Sequence, residues 1–358
     1  PDGLSARQMA THSFPWLSDG DVARAARKSD EYTVHDGMLP ERSYSELDLF
    51  GERVRAVSAS RLQTLAETPY IYFLKYVLGV RPLEEPALED EAWLNALRKG
   101  SLLHDVYERF VRDLGGRVPT EDDEQRLHEI LDDVLEKEVE QFAPPSPIVR
   151  DSARRELLKN ATVFFRAEMM RNPATQPEDF ELGFGLSEKR RKEGDLEEAV
   201  LQIGEHTMNV SGQIDRVDRH EETGALSIWD YKTGKAKDYD ENDPVQGGKK
   251  IQWALYAYAL EALRGDTVAE SGYYFANATE VGTRIGFPPA DHRAEVEDVI
   301  SKLRRLTCTG TFPVSPKLDK STAWKYNGYE RIVGTLKDRK KEIREKAYPD
   351  RPKPPAFT

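Results

Sequence analysis

The spacing of apolar side chains along the chain changes near residue 175. Before that point apolar positions recur every three or four residues, the period of a helix with one buried face. Helices are predicted at about residues 91–114, 120–142 and 149–170, and the second opens with Thr120 and Asp123 as a capping pair. The apolar face of the first consists of Leu102, Leu103, Val106, Tyr107 and Phe110.

A shorter helix is predicted before these three. Ser60 and Gln63 have the spacing of a capping box for a helix that begins directly after Ser60. The chain before it is polar, rich in turn residues and only weakly periodic, with one short helix predicted at residues 19–28. We interpret residues 1–56 as a lead-in from an upstream region of a longer protein.

After residue 175 the pattern is that of a strand meander. Runs of alternating or continuous apolar residues are separated by turn residues, and they predict strands at 180–186, 199–203, 207–219 and 225–232. The elements predicted after these strands are a helix at 249–263, a strand at 272–276, a helix at 291–306 and a basic helix at 334–346.

This order of elements predicts an α/β (α+β) fold in which a mixed central β-sheet is flanked by helices. Residues 57–175 form the helical part, and residues 176–358 form the sheet-containing core with a C-terminal helical segment. The segment Thr233-Gly234-Lys235 lacks the upstream glycine and the following hydroxyl residue of a phosphate-binding loop. An ATP-driven motor is therefore not expected in this sequence.

Composition limits the class of protein. The chain has 358 residues, of which 38% are hydrophobic and 32% charged, as in soluble globular proteins, and no apolar run is long enough to span a membrane. The single cysteine, Cys308, excludes an intrachain disulfide and favours a reducing, cytoplasmic setting. A net charge of −12 argues against nucleic-acid binding through the whole surface but not through a local basic channel, for which Lys249 and Lys250 are the best candidates.

Two aspartates and a lysine form the main candidate site. If residues 221–224 are a four-residue hairpin loop, Asp215 lies six residues before the loop and Asp230 six residues after it, so they face each other across the paired strands. Lys232, two residues beyond Asp230, lies on the same face. A loop one residue longer or shorter would weaken this prediction.

Facing carboxylates are unfavourable for folding. At ~4 Å and an effective dielectric constant of about 20, their repulsion is on the order of 4 kcal/mol. Mg²⁺ or Mn²⁺, which prefer oxygen ligands, would remove this repulsion and, together with a nearby ammonium, would supply the chemistry of phosphodiester hydrolysis. Taken alone, the three residues also fit ordinary surface charges at the edge of a hairpin.

Two helices carry further polar pairs. His104 and Glu108 are one turn apart on the helix at 91–114, and Gln252 and Tyr256 are one turn apart on the helix after the hairpin. A lone histidine on a helix is more often a structural residue than a ligand, and the second pair alone fits a polar stripe on a core helix.

Taken together and in order, these residues resemble the motifs of RecB-like nucleases of the PD-(D/E)xK superfamily. The matching motifs are Gly100-x-x-x-His104-x-x-x-Glu108, Gly212-x-x-Asp215-Arg216-x-Asp218, Asp230-Tyr231-Lys232-Thr233-Gly234 and Gln252-x-x-x-Tyr256. Each motif alone is weak, whereas the ordered set is specific. Residues 57–62 and 69–74 are also similar to the start of the nuclease domain in AddB-type helicase–nuclease subunits.

The resemblance implies a restriction-endonuclease-like core with a catalytic Mg²⁺ or Mn²⁺. Its ligands would be the side chains of His104, Asp215 and Asp230 and the carbonyl of Tyr231. Lys232 would orient water or stabilise the transition state.

The resemblance assigns the other polar residues to positioning. Gln252 and Tyr256 would position the DNA strand or the catalytic lysine. Glu181 lies where the family often has an acidic residue, and Glu108 is a further candidate.

The implied function is metal-dependent hydrolysis of DNA. The resemblance suggests an exonuclease or an endonuclease, with the exonuclease favoured, that acts preferentially on single strands. It would belong to a helicase–nuclease active in double-strand break repair and recombination. Its partner would be a helicase subunit or an upstream helicase-like region of the same chain. Two alternatives are a nuclease-like scaffold for DNA binding or assembly without turnover, and a stand-alone nuclease. Facing carboxylates beside a lysine argue against the scaffold, since folding gives no reason to keep them.

The sequence departs from the family at the iron–sulfur cluster that many members hold. Those members have a cysteine before the first-helix proline and three near the C terminus, whereas the corresponding residues here are Thr68, Trp324, Asn327 and Val333. No iron–sulfur cluster is expected, and packing by Trp324, Tyr326 and Tyr329 would replace it.

We therefore predict that the purified protein contains neither iron nor acid-labile sulfide, because none of the four side chains at these positions ligates iron. Elemental analysis and an absorption spectrum from 300 to 500 nm would test this. Stoichiometric iron in protein that was never exposed to chelator would contradict it.

Overall fold

The centre of the molecule is a seven-stranded mixed sheet between two layers of helices. A computed structural model describes residues 5–31, 33–40, 44–50, 56–82, 93–314 and 328–334. In these ranges the helices are α1 (Ala6–Ser13), α2 (Pro15–Lys28), α3 (Ala59–Glu67), α4 (Pro69–Tyr72), α5 (Ala96–Asp113), α6 (Glu124–Gln141), α7 (Pro147–Met169), α8 (Gln252–Arg264), α9 (Arg293–Cys308) and α10 (Glu330–Val333). The strands are β1 (Val57–Ser58), β2 (Thr175–Phe184), β3 (Ala199–Ile203), β4 (His206–His220), β5 (Leu226–Tyr231), β6 (Val268–Phe275) and β7 (Thr283–Phe287).

The long strand β4 organises the sheet. It pairs in parallel with β1 and antiparallel with β2, β3 and β5. Beyond β5 the sheet continues with β6, which is parallel to β5 and connected to it through α8, and then with the antiparallel β7. All six residues of β5 are buried, as expected of a strand that has a neighbour on each edge and helices on both faces. The predicted mixed sheet is thus confirmed.

Two apolar layers cover the faces of the sheet. Helices α3, α8 and α9 pack on one face through a core that includes Leu62, Trp253 and Leu303. Helices α5, α6 and α7 pack on the other face through a second core that includes Phe110 and Phe164. None of the helices in the described ranges is long and apolar enough to cross a membrane.

The first core helix begins earlier than the sequence predicted. Ser58, and not Ser60, caps α3: the Ser58 hydroxyl accepts the backbone N–H of Arg61 at 3.3 Å. Gln63 takes no part in a capping box and donates its amide to the carbonyl of Lys249 at 3.0 Å. The prediction failed because several hydroxyl residues precede the helix, and only the backbone conformation decides which of them caps it.

Other element predictions differ in extent. In the described part of the N-terminal segment, α1 precedes α2, and α2 begins at Pro15, before the predicted residue 19. Strands β1 and β7, which are two and five residues long, were not predicted. Thr120 and Asp123 do form a reciprocal capping box, although a 3₁₀ turn separates it from α6. The predicted basic helix at 334–346 lies outside the described residues except for Gly334.

A small third core joins distant parts of the chain. Tyr70, Ile71 and Leu74 form one buried cluster with Val314, Tyr329 and Val333. The Tyr329 hydroxyl also donates to the carbonyl of Val80 at 3.1 Å. Tyr329 thus packs as the sequence predicted, whereas Trp324 and Tyr326 lie outside the described residues.

A buried ion network anchors β4 to α7. Glu168 of α7 and Arg216 of β4 are both fully buried and form two hydrogen bonds of 2.8 and 3.1 Å. Arg216 also binds Asp218 at 2.5 Å, and Arg171 and Arg284 approach Glu168 at 3.3 and 3.2 Å. The neighbouring arginines hold the pKa of Glu168 below its usual value against the opposing effect of burial. The motif residues Arg216 and Asp218 therefore belong to this internal network.

We predict that Glu168→Ala destabilises the domain by about 3–5 kcal/mol, since it leaves buried guanidinium charge without its partner. The change in unfolding free energy would be measured by urea denaturation. A matched control is Glu156→Ala, which removes an exposed carboxylate of α7 that pairs with Lys99; its effect should be below about 1 kcal/mol. Equal effects of the two substitutions would contradict the structural role of the network.

Candidate active site

The β4–β5 hairpin has the register that the sequence predicted. Its turn is closed by hydrogen bonds between His220 and Ala225 (2.9 Å) and between Gly224 and His220 (2.8 Å). The ladder ends with Arg216 opposite Trp229, so the next position sets Asp215 opposite Asp230. Both aspartates are largely buried, with exposed fractions of 9% and 5%.

Each aspartate is oriented by a donor. An oxygen of Asp215 accepts the backbone N–H of Tyr231 at 2.8 Å, and an oxygen of Asp230 accepts the side-chain amide of Gln252 at 2.6 Å. The ammonium of Lys232 forms an ion pair with the other oxygen of Asp230, as expected from their common face. The two carboxylates are thus fixed by the backbone of the last residue of β5 and by the first residue of α8.

Glu181 completes a row of carboxylates on adjacent strands. It lies on β2 between the paired residues Phe180 and Leu182, which places it beside Asp215 on the opposite edge of β4 from β5. Its φ of +49° is in the left-handed region, which costs free energy for a residue other than glycine. The amide of Gln213 holds its carboxylate at 2.7 Å.

His104 reaches this row from α5. Its Nδ1 lies 3.5 Å from an oxygen of Glu181 and 3.5 Å from an oxygen of Asp215. The three potential ligand atoms of His104, Glu181 and Asp215 all lie within 4.8 Å of one another. The imidazole contacts the Tyr231 ring edge-on at 5.5 Å between centroids, which fixes its orientation.

The pKa values reflect the crowded charge. Burial by itself would lower the pKa of His104, but the negative charges of Asp215 and Glu181 outweigh it and raise that pKa to about 9. Burial and the charge of Asp230 raise the pKa of Asp215 to about 7. Burial opposes the charge on Lys232, yet Asp230 raises the lysine pKa well above its usual value.

The remaining predicted residues fall into two groups. Tyr256 packs edge-on against Phe184 at 5.6 Å and lies so close to Gly212 that a Cβ there would come within 2.6 Å of its ring. Gly212 is thus required by close packing beside the site. Glu108, in contrast, pairs with Arg112 at 3.0 Å and is not part of the cluster of potential ligand atoms.

A basic pocket lies beside Lys232; two of its lysines were predicted from the sequence as candidates for a basic channel, but the pocket itself was not. It has a volume of about 290 Å³, and its lining includes Tyr239, Tyr273 and the two candidate lysines Lys249 and Lys250. Tyr239 stands in a turn-rich segment, where no local pattern marks it as part of a site.

The donor set fits a divalent cation. A neutral imidazole nitrogen and carboxylate oxygens around one point can ligate a divalent cation, and the repulsion between the carboxylates is relieved when such an ion is bound. With an ammonium at the edge, the set has the components of a metal-dependent phosphodiester hydrolase. Fold and site together define a nuclease-type α/β domain.

The family follows from comparison with known proteins. Residues 56–322 match the PD-(D/E)XK nuclease superfamily. The chain belongs to this superfamily, which confirms the resemblance described above.

Individual relatives are helicase–nuclease subunits. The chain is 26% identical over 223 residues to a subunit of the ATP-dependent helicase/deoxyribonuclease of Clostridium tetani and 28% identical over 225 residues to that of Acetivibrio thermocellus; each match covers 59% of this chain and 18% of the relative. A match to an exonuclease/helicase subunit RexB of Streptococcus pneumoniae has 28% identity over 180 residues, covering 49% of this chain and 14% of the relative. The chain thus spans about a fifth of the length of the first two relatives.

We predict that the metal-free domain loses stability as the pH rises from about 6.5 to 9. Because the folded pKa of His104 is raised above its usual 6.5, its contribution is complete below that pH and is lost as the pH passes about 9. The raised pKa of Asp215 also makes stability fall as the pH rises, because its carboxyl ionises at a higher pH in the folded protein than in the unfolded chain, and that loss occurs between about pH 4 and 7. Urea midpoints in EDTA at pH 6, 7.5 and 9 would measure this.

Two comparisons make the pH test specific. His104→Asn removes the titrating imidazole, so its profile should be flatter between pH 7.5 and 9. Saturating Mn²⁺ should raise the midpoint of the unaltered protein, most strongly at pH 9, where the ligands are deprotonated. Identical profiles for the two proteins would contradict the role given to His104.

Proposed function

We propose that this domain is a Mg²⁺- or Mn²⁺-dependent deoxyribonuclease that hydrolyses phosphodiester bonds. The observation that carries the proposal is the row of Glu181, Asp215 and Asp230 on adjacent strands, with His104 and Lys232 at its ends. Folding alone gives no reason for this row, whereas cation binding does. The superfamily membership supports the same chemistry.

In this proposal one group of residues binds the cation, and Lys232 acts on the water or on the phosphate. His104, Asp215 and Asp230, with the Tyr231 carbonyl and Glu181 nearby, would bind the cation, which supplies polarisation of the phosphate and activation of water when bound. Lys232, held against Asp230, orients the water or stabilises negative charge that develops on the phosphate.

The α8 residues Gln252 and Tyr256 would act by positioning. Gln252 holds Asp230 through its amide at 2.6 Å, and Tyr256 fills the space over Gly212. The part proposed for them is to keep the carboxylate row and the DNA strand aligned. Glu108 stays a weaker candidate, because its carboxylate already pairs with Arg112.

The biological setting is part of the same proposal. Relatives named helicase/deoxyribonuclease and exonuclease/helicase subunits support a nuclease that works with a helicase subunit or an upstream helicase-like region. We propose in addition that it is an exonuclease that prefers single strands. Double-strand break repair and recombination in the cytoplasm would be the context. A stand-alone nuclease is the alternative arrangement.

A first test is the degradation of end-labelled and circular DNA, single- and double-stranded, with Mg²⁺, with Mn²⁺ or with EDTA. We expect cation-dependent degradation of linear single strands and survival of circles, since an exonuclease requires an end. Cleavage of circles would identify an endonuclease. Binding of DNA without any cation-dependent cleavage would instead support the scaffold hypothesis.

We predict that Lys232→Ala lowers kcat by on the order of 10²–10³-fold, because it removes the charge that stabilises the transition state. Asp230→Ala should abolish detectable cleavage and weaken Mn²⁺ binding in calorimetry. Asp298→Ala is the control: it removes an exposed carboxylate of α9 that pairs with Lys302. Wild-type rates in Lys232→Ala would contradict the proposed role.

A further inference from the structure

The basic pocket lies next to the carboxylate row. Lys232 and Gln252 belong both to this pocket and to the contacts of Asp230, so the two spaces are continuous. The other lining residues include Gln63, Glu67, Tyr239, Lys249, Lys250 and Tyr273. The walls thus come from α3, from the segment before α8 and from β6.

The charge in the pocket is mainly positive. Three lysines stand against one glutamate among its lining residues, and Lys232 is already engaged by Asp230. Within the described ranges, no carboxylate lies within ion-pair distance of Lys249 or Lys250. Helix α8 begins at the pocket residue Gln252, and no side chain caps its first turn, so the positive end of the helix dipole adds to the same field.

Lys250 is the best-placed of these cations. Its Nζ lies 3.8 Å from the centroid of the Tyr239 ring, and Tyr239 packs on Tyr273 at 4.4 Å. The Tyr273 hydroxyl donates to the Lys250 carbonyl at 3.2 Å, so side chain and backbone are both held. Burial and the charge of Lys232 lower the pKa of Lys250, and they outweigh the opposite effect of the Asp238 and Asp230 carboxylates, which lie beyond ion-pair distance.

The segment that bears the lysines is tied to α3. Gln63 donates to the carbonyl of Lys249 at 3.0 Å across 186 residues of sequence. The Gln63 amide and the Tyr273 hydroxyl thus fix the position of two lysines that form no ion pair with a carboxylate in the described part of the chain. A cation–π contact accounts for the orientation of Lys250 but offsets only a part of the cost of burying an ammonium. An anion in the pocket would offset the rest.

We propose that this pocket binds the backbone phosphate adjacent to the scissile one, with Lys250 as its main contact. The inference rests on the proposed nuclease function, because that function places the scissile phosphate at the neighbouring carboxylate row. The contact is to phosphate and not to a base, so it adds affinity and fixes the register of the strand without sequence preference.

The first experiment measures binding of fluorescein-labelled single-stranded oligonucleotides in EDTA, where no cleavage occurs, at several salt concentrations. Removing one phosphate contact from a single strand lowers the slope of log affinity against log salt by about 0.7. We expect this change for Lys250→Met, with roughly tenfold weaker binding at low salt, for both a thymine-only and a mixed sequence. A slope equal to that of the unaltered protein would overturn the inference.

Two further variants separate a lost contact from a damaged fold. Lys250→Arg keeps a cation that stacks on tyrosine, so the slope of log affinity against log salt should equal that of the unaltered protein. Lys302→Met removes an exposed lysine of α9 that pairs with Asp298, and it should leave binding unchanged. The assignment to Lys250 is wrong if Lys250→Arg reduces the slope of log affinity against log salt as much as Lys250→Met does. It is also wrong if Lys302→Met reduces that slope.

The second experiment places one uncharged methylphosphonate next to a defined scissile phosphate. Cleavage of this substrate by the unaltered protein should be slower than that of the all-phosphate substrate, whereas Lys250→Met should cleave both at similar rates. Equal sensitivity in the two proteins would overturn the inference and leave the nuclease function standing. No cleavage by the unaltered protein, with the slope change intact, would overturn the nuclease function and leave a phosphate-binding pocket.

Discussion

The antiparallel register of β4 and β5 is the constraint on which the site depends. It sets Asp215 against Asp230, while β2 on the opposite edge of β4 sets Glu181 beside the same aspartate. Three neighbouring strands thus bring three carboxylates together, which is unfavourable in any protein. The opposing charge comes from other elements, His104 from α5 and Lys232 from the chain after β5. A slip of one residue would turn Asp215 to the other face and remove the site.

Strand β4, which carries Asp215, is anchored to α7 through the side chain next to that aspartate. Asp215 and Arg216 are adjacent, and the alternation of a strand directs one to the carboxylate row and the other to Glu168 in the helical layer. Replacing a buried ion network by apolar packing is often neutral or favourable for stability. Here the network fixes the position of β4: the Arg216 guanidinium is bonded to Glu168 of α7, so β4 cannot shift along α7 without breaking these hydrogen bonds.

The sequence predicted what depends on local spacing. The register followed from the length of one loop, and the facing of Asp215 and Asp230 needed no knowledge of the rest of the fold. The predicted capping residue of α3 was wrong because Ser58 and Ser60 are both serines, and either side chain could cap a helix. The left-handed backbone of Glu181 and the approach of Gln63 to Lys249 arise only from tertiary packing, and no sequence pattern marks them.

The third core, formed by Tyr70, Ile71 and Leu74 with Tyr329 and Val333, joins segments that are about 250 residues apart in sequence. Such a joint rests mainly on the removal of apolar surface from water, and its strength therefore falls on cooling. Because the sequence predicts no iron–sulfur cluster at this joint, we expect it to be insensitive to oxidants and chelators and to form without a cofactor-loading step. The stability of this third core would thus depend on temperature and cosolvent, and the core would be complete as soon as the chain has folded.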